Sequence, residues 1–226
     1  MYQKYIKRPL DFFLSLLAII ALSPVLIFLT VLGAINMKGN PFFVQLRPGK
    51  DEKIFKMIKF RTMTCEKDEN GEFLPDEQRL TKYGKILRST SLDELPELLN
   101  ILKGDMAVIG PRPQLVRDMV FMTDTQRLRH TVRPGLSGLA QVSGRNALRW
   151  ENKLSIDLEY IENITFLGDI KIILTTFVKV FKREDISDVG METAEDFGDY
   201  LLRVGKVDEA VYDANMKKAD KLLTRV

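Results

Sequence analysis

Two adjacent carboxylates, Asp93 and Glu94, stand at the predicted start of a helix in the segment Ser91–Pro96. The free amides and the dipole at a helix N-terminus hold a carboxylate ionised. An ionised aspartate is a nucleophile that can form an acyl phosphate. Adjacent helical residues point about 100° apart, so the two carboxylates would serve different roles. A simpler interpretation stays open, because Ser91 and Glu94 have the spacing of a capping box, in which Glu94 would only cap its helix.

Several basic residues, some of them beside glycine and proline, could bind phosphate groups. A guanidinium group binds phosphate oxygens bidentately, and glycine lets backbone amides approach an anion. Each residue alone is more often a surface charge, but together they predict a diphosphate pocket. The candidates are Lys59, Arg61, Arg88, Arg112, Arg133 and Arg145. The sequence contains neither a G-x-G-x-x-G nor a Walker A segment, which excludes the common nucleotide-binding loops.

The composition limits the metal chemistry that the chain can support. Among 226 residues there is one cysteine, Cys65, and one histidine, His130. Zinc sites built on several cysteines are therefore excluded, and a metal would have mainly oxygen ligands. The formal net charge is +3, with basic residues concentrated before residue 62 and acidic residues after residue 183. A basic segment beside an apolar one suggests an anionic membrane surface or phosphate ligands.

Residues 12–37 form an uninterrupted run of uncharged residues, most of them apolar. As a helix that rises about 1.5 Å per residue, this run is long enough to cross a hydrocarbon core of roughly 30 Å. A cleaved signal peptide is disfavoured, because the run is longer than a typical signal core and no A-x-A-like site ends it. The run therefore predicts a helix embedded in a membrane.

Ser23 and Pro24, at the midpoint of this run, leave two membrane topologies open. Proline removes a backbone hydrogen bond and bends a helix, and the Ser23 hydroxyl could satisfy part of the freed backbone within lipid. A sharp bend would return the chain to the side it came from, whereas a milder one would let it span the bilayer. Positive charge flanks both ends, with Lys7 and Arg8 before the run, and this fits two cytoplasmic ends.

The rest of the chain is predicted to be a small mixed domain followed by a helical tail. The predicted elements are two strands within 41–63 joined by a turn at 47–50, helices at 80–87 and 91–104, and a strand at 105–110. The leucines of the second helix would share one face. Residues 169–183 predict an amphipathic helix, with Asp169 as its N-cap, that would lie in a membrane interface or pack on the core.

Four sequence blocks together resemble the bacterial sugar transferase family of monotopic phosphoglycosyl transferases, in its small form without extra transmembrane helices. The blocks are KRPLDFFLSLLAIIALSPV, QLRPGKDEKIFKMIKFRTM, LRSTSLDELPELLNILKGDMAVIGPRP and RHTVRPGLSGLAQVSGRN. They occur in the order that the family shows, and the resemblance covers residues 1–183.

For the fold, the resemblance implies a mostly helical α+β protein. Residues 1–38 would form a re-entrant membrane hairpin, a helix–break–helix bent at Ser23 and Pro24 and anchored by Lys7 and Arg8. Residues 39–188 would form a small cytosolic catalytic domain with a short β-hairpin and interfacial amphipathic helices. Residues 189–226 are then an acidic helical tail of unknown role.

For the site, the resemblance implies that Asp93 is the nucleophile and that Glu94 assists by positioning a metal or handling a proton. Both carboxylates would lie near a Mg²⁺ ion that bridges the donor's diphosphate. Arg112 would hold phosphate, and three further residues are expected in the same pocket: Lys59, Arg88 and Arg145.

For function, the resemblance implies transfer of a sugar 1-phosphate from a UDP-sugar to undecaprenyl phosphate at the cytoplasmic face of the bacterial inner membrane. A covalent aspartyl intermediate would form and UMP would be released. No nucleic-acid partner is expected, and homo-oligomer formation is left open. Two alternatives remain: a membrane-attached glycosyltransferase that releases UDP, and a membrane scaffold without catalytic activity. The sequence does not distinguish the sugar or the glycan pathway.

Overall fold

The fold is mostly helical with two small sheets, which confirms the predicted class. The computed structural model describes residues 1–144, 149–182 and 195–224. The longer helices are α1 (Lys7–Asn36), α3 (Lys82–Ser89), α4 (Glu97–Lys103), α8 (Trp150–Glu162), α9 (Phe166–Lys182), α10 (Phe197–Arg203) and α11 (Glu209–Leu223). The short ones are α2 (Asp76–Arg79), α5 (Val116–Met119), α6 (Asp124–Arg127) and α7 (Leu139–Ser143). The strands are β1 (Phe42–Pro48), β2 (Ile54–Phe60), β3 (Ala107–Ile109) and β4 (Gly135–Ser137).

The predicted β-hairpin is confirmed. β1 and β2 pair antiparallel from Phe42 opposite Phe60 to Pro48 opposite Ile54, although the turn that joins them begins only after Pro48. α4 lies beside β2 because Asn100 binds its backbone. The Asn100 side chain accepts a hydrogen bond from the Ile58 amide at 3.1 Å and donates one to the Lys56 carbonyl at 2.8 Å. This packing brings the end of β2 close to the turn that precedes α4.

The predicted strand at 105–110 is confirmed as β3, and it pairs in parallel with β4. The prediction for 91–104 is wrong in one respect, because this segment is not a single helix with all its leucines on one face. It divides into a 3₁₀ turn, Leu92–Glu94, and the helix α4. Proline at position 96 has no amide to continue the helical hydrogen bonds, and the division leaves Leu98 buried and Leu99 exposed.

α1 is one continuous helix through Pro24, so the predicted helix–break–helix is wrong as a description of secondary structure. Proline cannot donate the bond that its position would normally make to the carbonyl four residues earlier, that of Ile20. The Ser23 hydroxyl donates to this same carbonyl at 2.8 Å. The predicted role of Ser23 is thereby confirmed, and it explains how the helix continues past Pro24.

α1 contacts the globular part of the protein near both of its ends. Close to its start, the Arg8 guanidinium donates to two carbonyls at the C-terminal end of α4, at 2.7 and 2.9 Å. Close to its end, the Leu29 carbonyl accepts a hydrogen bond from the Tyr83 hydroxyl at 3.1 Å. Between these points, three apolar side chains of α1 pack against the core beside β2 and α4: Ala18, Ile19 and Leu22.

The opposite side of α1 is apolar and exposed. Within the described ranges, the helical stretch Tyr2–Asn36 alone is long and apolar enough to cross a membrane, and only 11% of its most apolar window is buried. A core helix of a soluble protein would be mostly buried, so this surface indicates association with a membrane. Its most exposed large side chains include Phe13, Leu17, Ile20, Ile27 and Phe28.

The predicted amphipathic helix is confirmed as α9, but Asp169 is not its N-cap. α9 begins at Phe166, which places Asp169 inside the first turn with only 4% of its surface exposed. Ile172 faces the core, whereas other apolar side chains of α9 face outward, among them Leu167, Leu174, Phe177 and Val178. The helix therefore combines a packed face with an exposed apolar one.

Candidate active site

Asp93 and Glu94 lie on the 3₁₀ turn between α3 and α4. Ser91, just before it, has a left-handed backbone with φ of 55°, a conformation that costs a non-glycine residue roughly 1–2 kcal/mol. Its side chain makes no capping hydrogen bond. The capping-box interpretation is therefore wrong, because the left-handed residue turns the chain before a regular helix begins and leaves Glu94 to other partners.

Glu94 is held by two cations from different parts of the chain. Its Oε1 atom accepts hydrogen bonds from Lys59 Nζ of β2 at 2.7 Å and from Arg112 Nη2 at 2.8 Å. Burial raises the pKa of Glu94, but the charges of Arg112 and Lys59 outweigh burial and hold that pKa below its usual range. The same ion pair raises the pKa of Arg112. Glu94 is thus a permanently charged group whose orientation is fixed.

Asp93 differs from its neighbour in having no ion pair or hydrogen bond from its side chain to any part of the chain that the structure describes. Its half-buried position and the charge of Glu94 raise its pKa to about 6, against the opposing effects of Lys59, Arg112 and Arg88. The expectation that a helix N-terminus lowers this pKa is wrong, because the three-residue turn provides no α-helix N-terminus there. At neutral pH the carboxylate is mostly ionised and unpaired, as a nucleophile must be.

Glu97 is a third carboxylate in the same site, and the sequence reasoning missed it. It is 3% exposed, and its Oε1 atom lies 3.2 Å from Lys59 Nζ. Burial and the charge of Glu94 raise the pKa of Glu97 to about 7, so Lys59 pairs mainly with Glu94. The sequence signal was the position of Glu97, one helical turn after Asp93. That position identifies Glu97 as a site residue only when the structure shows that Lys59 lies beside it.

The carboxylates could hold a magnesium ion only together with another ligand. No group of three His, Cys, Asp or Glu side chains among the described residues is arranged to bind a metal. Mg²⁺ commonly uses one or two carboxylates together with water and substrate phosphates. Asp93 and the second oxygen of Glu94, Oε2, supply one such pair. The chemistry of this pair therefore fits a Mg²⁺ ion that takes its remaining ligands from water or a bound phosphate.

Of the other residues predicted to bind phosphate, some lie at the site and some do not. Arg88 Nε of α3 donates to Thr62 Oγ1 at 3.1 Å, and its positive charge lowers the pKa of nearby Asp93, so it belongs to the site. Arg145 lies outside the described residues. Arg133 donates to the Gly104 carbonyl at 2.7 Å, at the end of α4 and beside Arg8. Its prediction as a phosphate ligand is wrong, because it stabilises a helix C-terminus.

The glycines near Arg112 and Arg133 pack the two parallel strands together instead of offering amides to an anion. The Gly110 amide donates to the Ser137 carbonyl at 2.9 Å, and the Gly135 amide donates to the Pro111 carbonyl at 3.0 Å. A Cβ atom on Gly110 would lie 2.4 Å from the Arg133 carbonyl oxygen, so only glycine fits. The prediction that these amides bind phosphate is wrong, but the close packing gives a rigid base to residues 110–115, the Arg112 loop between β3 and α5.

Two arginines that the sequence reasoning did not select, the buried Arg129 and the half-buried Arg47, hold the backbone of the Arg112 loop. Arg129 Nη2 donates to the Arg112 carbonyl at 2.6 Å and is itself paired with Asp157 of α8. Arg47 Nη1 donates to the Pro113 carbonyl at 3.1 Å. Their role depends on contacts between distant segments, for which the local sequence carries no signal. They fix where the Arg112 side chain begins.

Lys7 and Arg8 anchor the start of α1 to the protein itself. Lys7 Nζ donates to Asp169 Oδ2 of α9 at 2.5 Å, and the Tyr2 and Tyr160 hydroxyls donate to the same carboxylate at 2.7 and 2.8 Å. Arg8 binds the end of α4, the helix that follows the turn carrying Asp93 and Glu94. These contacts connect the apolar helix directly to the elements of the site, and the anchoring at the membrane that was expected of both residues stays a prediction.

The chain matches the sequence profile of bacterial sugar transferases over residues 2–183. It is 43% identical over 192 residues to the uncharacterized sugar transferase EpsL of Bacillus subtilis (strain 168), covering 85% of this chain and 95% of EpsL. It is 38% identical over 185 residues to a UDP-glucose:undecaprenyl-phosphate glucose-1-phosphate transferase of Klebsiella pneumoniae, covering 77% of this chain and 40% of that protein.

A third relative, a UDP-N-acetylgalactosamine-undecaprenyl-phosphate N-acetylgalactosaminephosphotransferase of Aeromonas hydrophila, is 37% identical over 181 residues. The match covers 76% of this chain and 43% of that protein. The chain therefore belongs to the bacterial sugar transferase family. It is an enzyme that transfers a substituted phosphate group.

Proposed function

We propose that this enzyme transfers a sugar 1-phosphate from a UDP-sugar to undecaprenyl phosphate through a covalent intermediate on Asp93, and so starts the assembly of a surface glycan or glycoprotein glycan. The observation that carries the proposal is the contrast between two adjacent carboxylates. Glu94 is neutralised by Lys59 and Arg112, whereas Asp93 is unpaired and beside the same cations. The relatives that carry out sugar-phosphate transfer to undecaprenyl phosphate support the donor and acceptor classes.

In the first step, an oxygen of Asp93 attacks the β-phosphorus of the UDP-sugar, the phosphorus that carries the sugar. A bond forms between the carboxylate oxygen and this phosphorus, the bond to the bridging diphosphate oxygen breaks, and UMP leaves with the electron pair. Phosphoryl transfer depends mainly on positioning and charge neutralisation. Arg112 and Arg88 supply positive charge at this position, and Lys59 keeps Glu94 from repelling the donor.

In the second step, a phosphate oxygen of undecaprenyl phosphate attacks the same phosphorus. The bond to Asp93 breaks, which restores the free carboxylate and releases the polyprenyl diphosphosugar. Asp93 and Glu94 would hold a Mg²⁺ ion, which when bound neutralises charge on the phosphate oxygens. The fixed orientation of Glu94 suits that role better than proton transfer, since its lowered pKa keeps it ionised.

The nucleotide released in the reaction tests this proposal. Purified enzyme, undecaprenyl phosphate and magnesium would be incubated in turn with UDP-glucose, UDP-galactose and UDP-N-acetylgalactosamine, and the nucleotides separated by chromatography. Transfer of the sugar phosphate releases UMP, and we expect UMP with at least one donor. Release of UDP would instead show a glycosyltransferase. The absence of any nucleotide product with every donor would favour a scaffold.

The contacts of α1 support a re-entrant position with both of its ends on one side of the membrane, and the basic residues that flank both ends favour the cytoplasmic face of the inner membrane. A helix of 30 residues is about 45 Å long. If it spanned the bilayer, the globular part that contacts both Arg8 and Leu29 would have to follow it through the hydrocarbon core. Transfer of the charged surface of that part into hydrocarbon is costly, and this cost argues against a spanning helix. The exposed apolar sides of α1 and α9 would then lie in one leaflet, which places the site where a lipid-bound acceptor meets a soluble donor.

Cysteine labelling tests this topology. Cys65 is exposed and would first be replaced by serine. The variants Tyr5→Cys and Asn40→Cys would then place one thiol before the start of α1 and one after its end. In right-side-out and inverted membrane vesicles, we expect an impermeant maleimide to label both positions from the cytoplasmic side. Labelling of the two positions from opposite sides would show a spanning helix.

A further inference from the structure

The two helices that follow the family-matched region, α10 and α11, complete a part of the hydrophobic core. The match to the family ends at residue 183, whereas α10 begins at Phe197. Phe197 is 2% exposed, and with Leu201 it packs on the apolar side of α5. A Cβ atom on Gly198 would lie 2.5 Å from the Phe121 ring, so the backbone of α10 rests directly on that ring. These helices are an integral layer behind α5.

Asp118 connects this layer to the loop that carries Arg112. Its carboxylate is 2% exposed. Oδ2 accepts a hydrogen bond from the Leu115 amide at 2.9 Å, and Oδ1 accepts one from the Phe197 amide at 2.9 Å. Asp118 therefore binds the last residue of the loop with one oxygen and the first residue of α10 with the other. A buried carboxylate is costly unless both oxygens are satisfied, so the two contacts depend on each other.

The loop is short, and Asp118 is one of three side chains in the described part of the chain that hold its backbone. Arg129 holds the Arg112 carbonyl, Arg47 holds the Pro113 carbonyl, and Asp118 holds the Leu115 amide. Only the third of these contacts is made by a side chain that also binds a residue beyond the family-matched region. The Arg112 side chain extends from this loop to Glu94 over a hydrogen bond of 2.8 Å.

A second contact links the same layer to α8. The Trp150 indole donates from Nε1 to the Glu195 carbonyl at 3.1 Å, and its ring lies 5.1 Å from that of Phe197. Trp150 begins α8, the helix that supplies Asp157 to Arg129. The C-terminal helices therefore contact two of the elements that support the Arg112 backbone.

We propose that Asp118 is a positioning residue for Arg112, and that α10 and α11 complete the surroundings that hold the Asp118 carboxylate in place. The C-terminal helices would in this way set the geometry of phosphate recognition by Arg112. The proposal rests on the function proposed above, in which Arg112 binds the donor's phosphate. It gives the acidic tail a role in the reaction and needs no partner protein. Displacing the Leu115 end of the loop would move Arg112 away from the phosphate while leaving the nucleophile in place.

The test compares Asp118→Asn and Phe197→Ala with Val211→Ala, a truncation of an exposed apolar residue in α11. For the UDP-sugar with the fastest turnover, we expect KM to rise about 3- to 30-fold in both test variants, with a smaller change in kcat, since small displacements of a positioning group lose binding and orientation. Val211→Ala should match the wild type. If Phe197→Ala does not fold, Phe197→Leu takes its place.

A purely structural role of the tail predicts a different pattern. The test variants would then unfold at lower temperature and contain less active enzyme, but the active fraction would keep the wild-type KM, and this result would overturn the proposal. A further readout is the background Arg112→Ala, in which we expect neither test substitution to raise KM again. A full additional increase in that background would show that the tail acts on some other group.

Failure of the proposed function gives a separate result. If the wild type releases UMP but the test variants keep its KM, only the positioning role is overturned. If the wild type releases no UMP with any donor, hydrogen exchange of the Leu115 amide tests whether the C-terminal helices hold the Arg112 loop. Wild-type protection of that amide in Asp118→Asn and Phe197→Ala would overturn the link between tail and loop, whereas faster exchange confined to this loop would support it.

Discussion

Asp93→Asn is expected to lower the rate of UMP release at least about a thousandfold, because it removes the nucleophile and leaves the binding groups in place. Asparagine has nearly the same volume as aspartate, and the Asp93 side chain makes no hydrogen bond to a described residue that the change would break. The Glu94 ion pairs with Lys59 and Arg112 should persist. UMP release from each UDP-sugar, measured with equal amounts of folded protein, gives the rate.

Intact-protein mass spectrometry provides the second measurement for this substitution. Wild-type enzyme mixed with its donor and magnesium, without acceptor, should gain the mass of one sugar phosphate, and peptide mapping should place it on residue 93. Asp93→Asn should gain nothing. The matched control is Asp124→Asn, an exposed aspartate in α6, which should form the adduct at the wild-type rate. Turnover by Asp93→Asn, or an adduct on another residue, would contradict the assignment of Asp93.

The secondary structure around the site could be predicted because its signals are local. The two strands with their connecting turn, the apolar run of α1 and the amphipathic pattern of α9 each depend on a few neighbouring residues. Ser23 is the best example, because its position directly before Pro24 already indicates which carbonyl its hydroxyl can satisfy. The family resemblance selected Asp93, Glu94 and Arg112 for the same reason, since each lies within a short continuous motif.

The parts that could not be predicted depend on which distant segments meet. Ser91 and Glu94 have the spacing of a capping box, but Lys59 and Arg112 compete for Glu94 across 35 and 18 residues of sequence. Charge-assisted hydrogen bonds of this kind are stronger than a cap. Glu97 gained a role only from its distance to Lys59.

For the basic residues, too, the sequence could not predict which partner each side chain binds. Arg133 follows the pattern of a phosphate ligand, yet it caps α4, and Arg47 was assigned to a turn, yet it supports the Arg112 loop. The residue type predicts that an arginine will bind an anion or a carbonyl. Only the packing of the strands and helices decides which of the two it meets.

Arg112→Ala is expected to reduce kcat/KM for the donor roughly 100- to 1,000-fold, the effect of removing one preorganised donor of positive charge at a reacting group. Two changes contribute. The phosphate loses its guanidinium partner, and Glu94 keeps only Lys59 as a cation, so that more of its negative charge faces the incoming diphosphate. Arg112→Lys should fall between the wild type and Arg112→Ala, because lysine keeps the charge but loses the bidentate geometry.

Single-turnover formation of the adduct on Asp93 separates this effect from a general loss of stability. The matched control is Arg127→Ala, which also removes an arginine paired with a glutamate, Glu52, but lies in α6. If Arg112 acts on the donor's phosphate, adduct formation should slow in Arg112→Ala and remain at the wild-type rate in Arg127→Ala. Equal slowing in both would show that the loss of an ion pair, and not of a phosphate ligand, explains the result. Because the Arg112 backbone is held by Arg129 and Arg47, the side chain can be removed without moving the loop, and this makes the comparison decisive.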